Sequence, residues 1–210
     1  MLRIWGRRFA LNVQKVLWCA AELRLPHERI DAGQHFGVVN EPAYRALNPN
    51  GRIPTMEEDG FVLWESNAIV RYLSAKHGAG VLCPGDLRVH AEADKWMDWQ
   101  ASTLYLPTFR RYYLTVGRTP PEQQDRNELA ELHCAVTALF SILDAHLAKQ
   151  PYVAGQKFTM GDIPVGTTLD KWMRMPIERP PMEHLEAYYR RLSDRPAYRE
   201  HVLALAYNAV

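Results

Sequence analysis

The feature of this sequence that most constrains its fold is a change in the spacing of apolar residues at the Gly/Pro-rich segment "GAGVLCPGD", residues 78–86. Before this segment, short apolar runs alternate with helical patterns; after it, helical periodicity continues and no strand pattern is evident. Two domains of different class are therefore expected. We assign residues 1–77 to an α/β domain, 78–86 to a linker and 87–210 to an all-helical domain.

The first 77 residues predict the element order β-α-β-α-β-β-α. A strand, a crossover helix and a second strand predict a parallel pair, whereas the turn signal Asp59–Gly60 predicts an antiparallel hairpin. The domain should therefore hold a mixed four-stranded sheet with helices packed on it. The predicted strands are "LRIW", "HERIDA" and the two halves of "IPTMEEDGFVLWE", and the predicted helices cover 12–25, 41–47 and 66–77. In the second domain the predicted helices lie near 88–116, 121–149, 159–174, 181–193 and 196–206.

Composition excludes several classes of function. The formal net charge of the 210 residues is +1, so the chain lacks the basic excess of proteins that bind nucleic acid or anionic membranes. Its 3 cysteines are far apart, which argues against a disulfide framework and for a reducing compartment. No signal peptide and no membrane-spanning run is apparent, and no histidine has a metal-ligand partner at suitable spacing. We expect a soluble cytoplasmic protein without a metal site.

The turn-rich segment "GRIPT", residues 51–55, leads into a predicted strand. If the Ile53–Pro54 bond is cis, the backbone of Ile53 faces a cleft, where a peptide-like ligand could pair with it as an added strand. The alternative is an ordinary trans proline at the start of an edge strand.

In "WESNAI", residues 64–69, a predicted strand runs directly into a helix. The free N–H groups and positive dipole of the helix start favour a ligand carboxylate, Ser66 adds a hydroxyl, and Glu65 adds an acceptor for an ammonium group. The pair would suit an amino-acid zwitterion. Alternatively, Ser66 is only a helix cap and Glu65 only a solvated acid of the first turn.

The loop "GRRFALNVQKV", residues 6–16, contains no cysteine, serine, threonine or histidine. Asn12 is expected at the start of the first helix, either as its cap or with its amide N–H directed at an anion. The C-x-x-C motif of disulfide-exchange proteins is absent after Trp5, and Cys19 within the helix is interpreted as a buried small hydrophobe.

In the second domain, Thr159 and Asp162 have the spacing of a capping box and predict a structural helix start. The aromatic-rich segment 95–114 predicts core or interface packing, with part of it able to wall an apolar pocket in which Arg110 could meet an acidic ligand.

Together, "LNPNGRIPT", "LWESNAIVRYL" and "FTMGDI" occur in the order and at the spacing found in the cytosolic glutathione transferases, which this chain resembles over its whole length. The similarity is to theta- and nu-like bacterial members. It implies a thioredoxin-like first domain that binds glutathione, a helical second domain that carries the electrophile pocket, and a homodimer.

The resemblance also implies roles for individual residues. Ile53, before a cis Pro54, would pair through its backbone with the cysteinyl part of glutathione, and Glu65 with Ser66 would hold the γ-glutamyl end. Nearer the glycine end the resemblance places Arg52 and His35, with Asn67 as an outer candidate. The implied electrophile pocket comprises Trp99, Thr103, Tyr105, Arg110 and Trp172.

The catalytic loop departs from the family pattern, because Ala10 stands where relatives have a Ser or Thr. The nucleophile belongs to glutathione, so the protein need only stabilise a thiolate, whose free thiol has a pKa of about 8.5. Our hypothesis is that Asn12 is the main side-chain donor to the sulfur. The leading function is transfer of glutathione to a hydrophobic electrophile, as in detoxification. The alternatives are glutathione-dependent disulfide or peroxide reduction, and a non-catalytic protein that retains the glutathione-binding residues but does not activate the thiol.

Overall fold

The computed structural model describes residues 1–204, which form two compact units. The first unit contains residues 1–85 together with 196–204, and the second contains residues 86–195.

The first unit is built on a four-stranded sheet with the order β2-β1-β3-β4. β1 pairs parallel with β2, in the register Leu2 to His27, while β1–β3 and β3–β4 are antiparallel. The predicted mixed sheet and element order are confirmed. The strands are β1 Leu2–Trp5, β2 His27–Ile30, β3 Thr55–Glu58 and β4 Phe61–Trp64, and the helices are α1 Leu11–Glu22, α2 Pro42–Leu47 and α3 Ser66–His77.

The core of this unit lies where α1 and α3 pack against each other, and α3 also packs on β4. Alternation along β1 buries Leu2 and Ile4 and leaves Arg3 exposed, as expected for a strand with one covered face. The helices contribute fully buried aliphatic side chains to this core, among them Val13, Val16, Ile69, Val70 and Leu73.

The C-terminal segment corrects the predicted domain boundary. Residues 196–204 belong to the first unit, although we expected all of 87–210 in the helical domain. The physical reason is aromatic packing, since Tyr198 meets Trp18 of α1 edge to face at 4.6 Å and both rings are fully buried. The segment consists of a helical turn, Pro196–Tyr198, and a π-helical stretch, Arg199–Leu203. The predicted helix 196–206 ends outside the described residues.

The second unit is helical over its described length. The predicted helix 88–116 is observed as a run in which a π-helical segment, Gln100–Phe109, contains Pro107, which lacks a backbone N–H donor. The helices flanking this segment are α4 Leu87–Trp99 and α5 Arg110–Arg118, followed by α6 Arg126–Leu147, α7 Asp162–Arg174 and α8 Glu183–Ser193. Within residues 1–204, no helix is long and apolar enough to cross a membrane.

The predicted helix start at Thr159–Asp162 is observed with half of a capping box: the N-cap of α7 is Gly161, and only the bond from the Thr159 N–H back to the Asp162 carboxyl is formed. Asp162 is fully buried and accepts hydrogen bonds from the backbone N–H groups of Thr159 (2.8 Å) and Val153 (3.0 Å). Tyr188 on α8 donates its hydroxyl to the same carboxyl at 2.9 Å. One carboxyl group thus joins the start of α7 to the preceding loop and to α8.

Candidate functional site

Two loops of the first unit approach Ile53. Gly6 follows β1 with a φ of +152°, and a Cβ there would lie 2.4 Å from Val13 Cγ2 and 3.4 Å from Ile53 Cβ. On another side, a Cβ on Gly33 would lie 3.1 Å from Ile53 Cδ1 and 3.3 Å from an Arg7 guanidinium nitrogen. The loop before α1 and the loop after β2 therefore both reach Ile53, the residue before Pro54.

The backbone of Ile53 is available to a ligand. The Ile53–Pro54 bond is cis, as one of the two sequence interpretations required. Within residues 1–204, neither the N–H nor the C=O of Ile53 has an internal hydrogen-bond partner. A peptide-like ligand could satisfy both groups, because unpaired backbone groups are the basis of strand addition.

A hydrogen-bond network that we did not predict holds the adjoining peptide. Tyr44 Oη donates to the Arg52 carbonyl at 2.7 Å, and Asn48 Nδ2 donates to the same carbonyl at 2.9 Å. Both side chains also meet Thr55 Oγ1, at 2.8 and 3.1 Å. Burial raises the pKa of the Tyr44 hydroxyl, so it remains a donor over the physiological range. The network fixes the chain on both sides of Ile53.

The start of α3 lies at a strained residue. Glu65 is the N-cap position, is exposed, and has a φ of 70°, in the left-handed region that a non-glycine residue rarely adopts. Ser66 begins the helix and is only 6% exposed, and its hydroxyl makes no hydrogen bond within residues 1–204. Strain of this kind is often retained at ligand sites, and a helix N-terminus with a free hydroxyl suits a carboxylate.

Helix α1 begins two residues earlier than the capping interpretation of Asn12 required. Ala10 occupies the N-cap, where no side chain accepts a hydrogen bond, and Asn12 is the second residue of the helix. The expectation that Asn12 is the cap is therefore corrected. Its half-buried side chain makes no hydrogen bond within residues 1–204, which leaves the amide available to an external group.

The remaining predicted glutathione residues occupy different surroundings. Arg52 is exposed at the segment held by Tyr44 and Asn48. His35 is exposed in the short helical turn Gln34–Phe36, with its ring 4.0 Å from that of Phe36. Asn67, by contrast, points inward and accepts a hydrogen bond from a residue we had not singled out.

That residue is Lys15. Its side chain is 2% exposed, and Nζ donates to Asn67 Oδ1 at 3.2 Å. Burial lowers the pKa of Lys15 to about 7, against an opposing effect of the Glu65 carboxylate. The sequence contained a signal for Lys15. It lies three residues after Asn12, so the two side chains lie on nearly the same face of a helix that is otherwise largely apolar.

The residues expected to wall an electrophile pocket border different features of the second unit. Arg110 lines an open pocket of about 470 Å³ with Leu106, Pro107 and other residues of 106–119. Trp172 is fully buried and stacked on Phe140 at 4.9 Å, and it borders a different pocket. Its main contribution is therefore to the core of the second unit. The other three have intermediate or exposed side chains on and beside the π-helical segment: Trp99, Thr103 and Tyr105.

The three cysteines differ in their surroundings. Cys19 is fully buried between α1 and α3, and burial raises the pKa of its thiol to about 12, which supports the interpretation of a small hydrophobe. Cys83 is partly exposed and Cys134 is exposed, and neither forms a disulfide within residues 1–204. Among residues 1–204, no group of three or more His, Cys, Asp or Glu side chains is arranged to hold a metal ion.

The chain has a thioredoxin-like domain with an unpaired backbone before a cis proline, and a helical domain follows it. These features define the class of two-domain thiol-binding proteins. Residues 10–76 match the family "Glutathione S-transferase, N-terminal domain", and residues 103–196 match "Glutathione S-transferase, C-terminal domain". Glutathione S-transferase GstB of Escherichia coli K12 is 39% identical over 205 residues, covering 97% of this chain and 98% of its own. The chain belongs to the glutathione S-transferase family and is a glutathione transferase.

Solved structures agree with this assignment. The theta-class glutathione S-transferase of Xanthomonas axonopodis pv. citri, with glutathione bound, has a TM-score of 0.92 and 46% sequence identity, and the match covers 98% of each chain. Glutathione transferase F7 from Populus trichocarpa has a TM-score of 0.85 at 24% identity, covering 98% of this chain and 100% of its own, and it shows the fold alone.

Proposed function

We propose that the first unit binds glutathione across Ile53 and the start of α3, and that the bound thiolate attacks a hydrophobic electrophile. The observation that carries the proposal is the unpaired backbone of Ile53, with the start of α1 beside it. A cysteinyl residue paired with Ile53 as a short antiparallel strand would bring its sulfur towards the segment that leads into α1. Glu65 and Ser66 would then hold the γ-glutamyl ammonium and carboxylate, while Arg52 and His35 would face the glycine end.

Asn12 is the side chain we assign to the sulfur. Its amide N–H can donate to a thiolate, and the partial positive charge at the N-terminus of α1 acts in the same direction. The N–H groups of Leu11 and Asn12 precede the first intrahelical bonds, which Val13 and Gln14 make to the Ala10 carbonyl at 2.8 and 2.9 Å. An amide and a helix end thus replace the hydroxyl that Ala10 lacks.

Titration of the bound thiol tests this assignment. In Asn12→Ala we expect the pKa of enzyme-bound glutathione, followed by thiolate absorbance, to rise by about one unit, with a fall of about 10-fold in kcat/KM for a chloro-dinitro-aromatic. Asn127→Ala is a matched control, because Asn127 is likewise the second residue of its helix, α6, and is exposed. A change of less than about twofold at saturating glutathione would refute the role of Asn12.

Ala10 leaves the N-cap of α1 without a side-chain donor or acceptor. The same titration therefore also measures how far Asn12 and the helix end activate the thiol. A lowered thiol pKa in the wild-type complex supports the proposed activation, and a thiol that keeps its solution pKa argues against it.

Homodimer formation and a cytoplasmic location are further parts of the proposal. The edge strand β4 exposes two aromatic side chains, Phe61 at 47% and Trp64 at 38%, which is unusual for a surface that remains in water. Sedimentation of the purified chain would decide the oligomeric state.

A further inference from the structure

Lys15 is a buried cation that has no role in the chemistry proposed above. Lysine is among the residues least often enclosed, because removing its ammonium group from water is costly. Lys15 is nevertheless 2% exposed, in the middle of α1. An unbranched apolar side chain such as Met would fill similar space without that cost. The buried charge therefore calls for an explanation in terms of what surrounds it.

The surroundings of Lys15 are the starts of two helices. Side chains on a helix lean towards its N-terminus, so Lys15 leans towards the turn that holds Asn12. Its Nζ donates to Asn67 Oδ1 at 3.2 Å, and Asn67 directly follows Ser66 at the start of α3. Lys15 thus links the helix end proposed for the sulfur to the helix end proposed for the γ-glutamyl carboxylate.

The pKa of Lys15 depends on its burial and on the charged groups around it. Burial lowers the pKa of Lys15 to about 7, and the Glu65 carboxylate, at the N-cap of α3, opposes that decrease. The segment Arg199–Leu203 also packs on α1 and carries the charged groups Arg199, Glu200 and His201. At neutral pH the ammonium form is therefore only partly populated, and a nearby anion would complete its protonation.

We propose that Lys15 is a positioning residue of the glutathione site, whose ammonium holds Asn67 and the start of α3 and supplies positive charge beneath the anionic cosubstrate. This inference rests on the proposed glutathione site. It adds a linkage: binding of the ligand's carboxylates favours the ammonium form, so the protein takes up a proton as the complex forms, and affinity falls as pH rises through 7.

The experiment uses S-methylglutathione, which has no thiol proton to release, and measures its dissociation constant by calorimetry between pH 6 and 8.5. Lys15→Met should bind about 10-fold more weakly at pH 6.5 and should lose the steeper part of the wild-type pH dependence. Lys15→Arg, which keeps the charge but does not titrate in this range, should recover part of the affinity with a flatter profile. Lys95→Met is the control, since Lys95 is an exposed lysine on α4 paired with Glu92.

Affinity and pH profile in Lys15→Met equal to those of the wild type would overturn the proposal. If that variant does not fold, wild-type calorimetry in two buffers of different ionisation enthalpy still decides. Near pH 7 the wild type should take up a fraction of a proton on binding, and zero uptake would overturn the role of Lys15. A wild type that binds no S-methylglutathione at any pH would instead refute the glutathione site itself, so the two failures are distinguishable.

Discussion

The Tyr44 network beside the cis proline makes a quantitative prediction about stability. Tyr44 Oη has one proton, which it donates to the Arg52 carbonyl at 2.7 Å, so the Thr55 hydroxyl must donate to Tyr44 Oη across their 2.8 Å contact. Asn48 Nδ2 supplies the remaining bonds, to the Arg52 carbonyl and to Thr55 Oγ1. Every donor and acceptor of this buried group therefore has a defined partner.

Tyr44→Phe should destabilise the protein by about 2 kcal/mol, made up of about 1 kcal/mol for the lost hydrogen bonds and about 1 kcal/mol for the Thr55 proton left unpaired in the interior. The Arg52 carbonyl remains paired with Asn48, so no larger loss is expected. Thr55→Val should cost about 1 kcal/mol, because Tyr44 still donates to the carbonyl. The double variant should cost about 2 kcal/mol, less than the sum, since no unpaired hydroxyl remains.

Urea unfolding followed by circular dichroism would measure this coupling of about 1 kcal/mol, provided that the denaturant dependence stays equal among the variants. Tyr72→Phe is the control, because the Tyr72 hydroxyl donates to Glu58 at 3.0 Å and that carboxylate keeps bonds from Lys76 and His77. Costs that add to within about 0.3 kcal/mol, or a Tyr44→Phe cost below about 0.5 kcal/mol, would refute the assigned proton positions.

Two further predictions concern the same unit. Gly6→Ala should destabilise the first unit by more than about 2 kcal/mol and abolish glutathione binding, because the new Cβ would lie 2.4 Å from Val13 Cγ2 at a φ of +152°. Gly85→Ala is the control, since a Cβ there would have no atom within 4 Å. Calorimetry with S-methylglutathione measures binding by both variants. Burial raises the pKa of Glu58, but hydrogen bonds from Lys76 and two neighbouring side chains outweigh it, so the folded-state pKa is lowered from its ordinary 4.5. Glu58 therefore contributes stability above pH 4.5 that is lost as pH falls through the folded-state pKa; urea unfolding from pH 7 to 3 should show a smaller loss for Glu58→Gln than for the wild type, and equal losses would contradict this pairing.

Local sequence patterns were sufficient to predict the order of secondary-structure elements in this chain. The alternation of "LRIW", the Asp59–Gly60 turn and the Thr159–Asp162 spacing each act over a few residues, so strand, hairpin and helix start could be predicted without knowledge of distant contacts. The motifs "GRIPT" and "WESNAI" indicated a ligand site for the same reason, since the backbone geometry of a proline turn and of a helix N-terminus is local.

The tertiary structure decided the features that depend on contacts between residues far apart in sequence. The C-terminal segment joins the first unit because Tyr198 packs on Trp18, and neither residue marks that contact in the sequence. Lys15 became part of the candidate site only through its bond to Asn67, 52 positions away. The sequence by itself determined the two-domain order and indicated a ligand site at the proline turn and at the helix starts, but it left the cis state of the Ile53–Pro54 bond open. Only packing determined which side chains support them, because burial and charge at a position are set by neighbours that the local sequence does not contain.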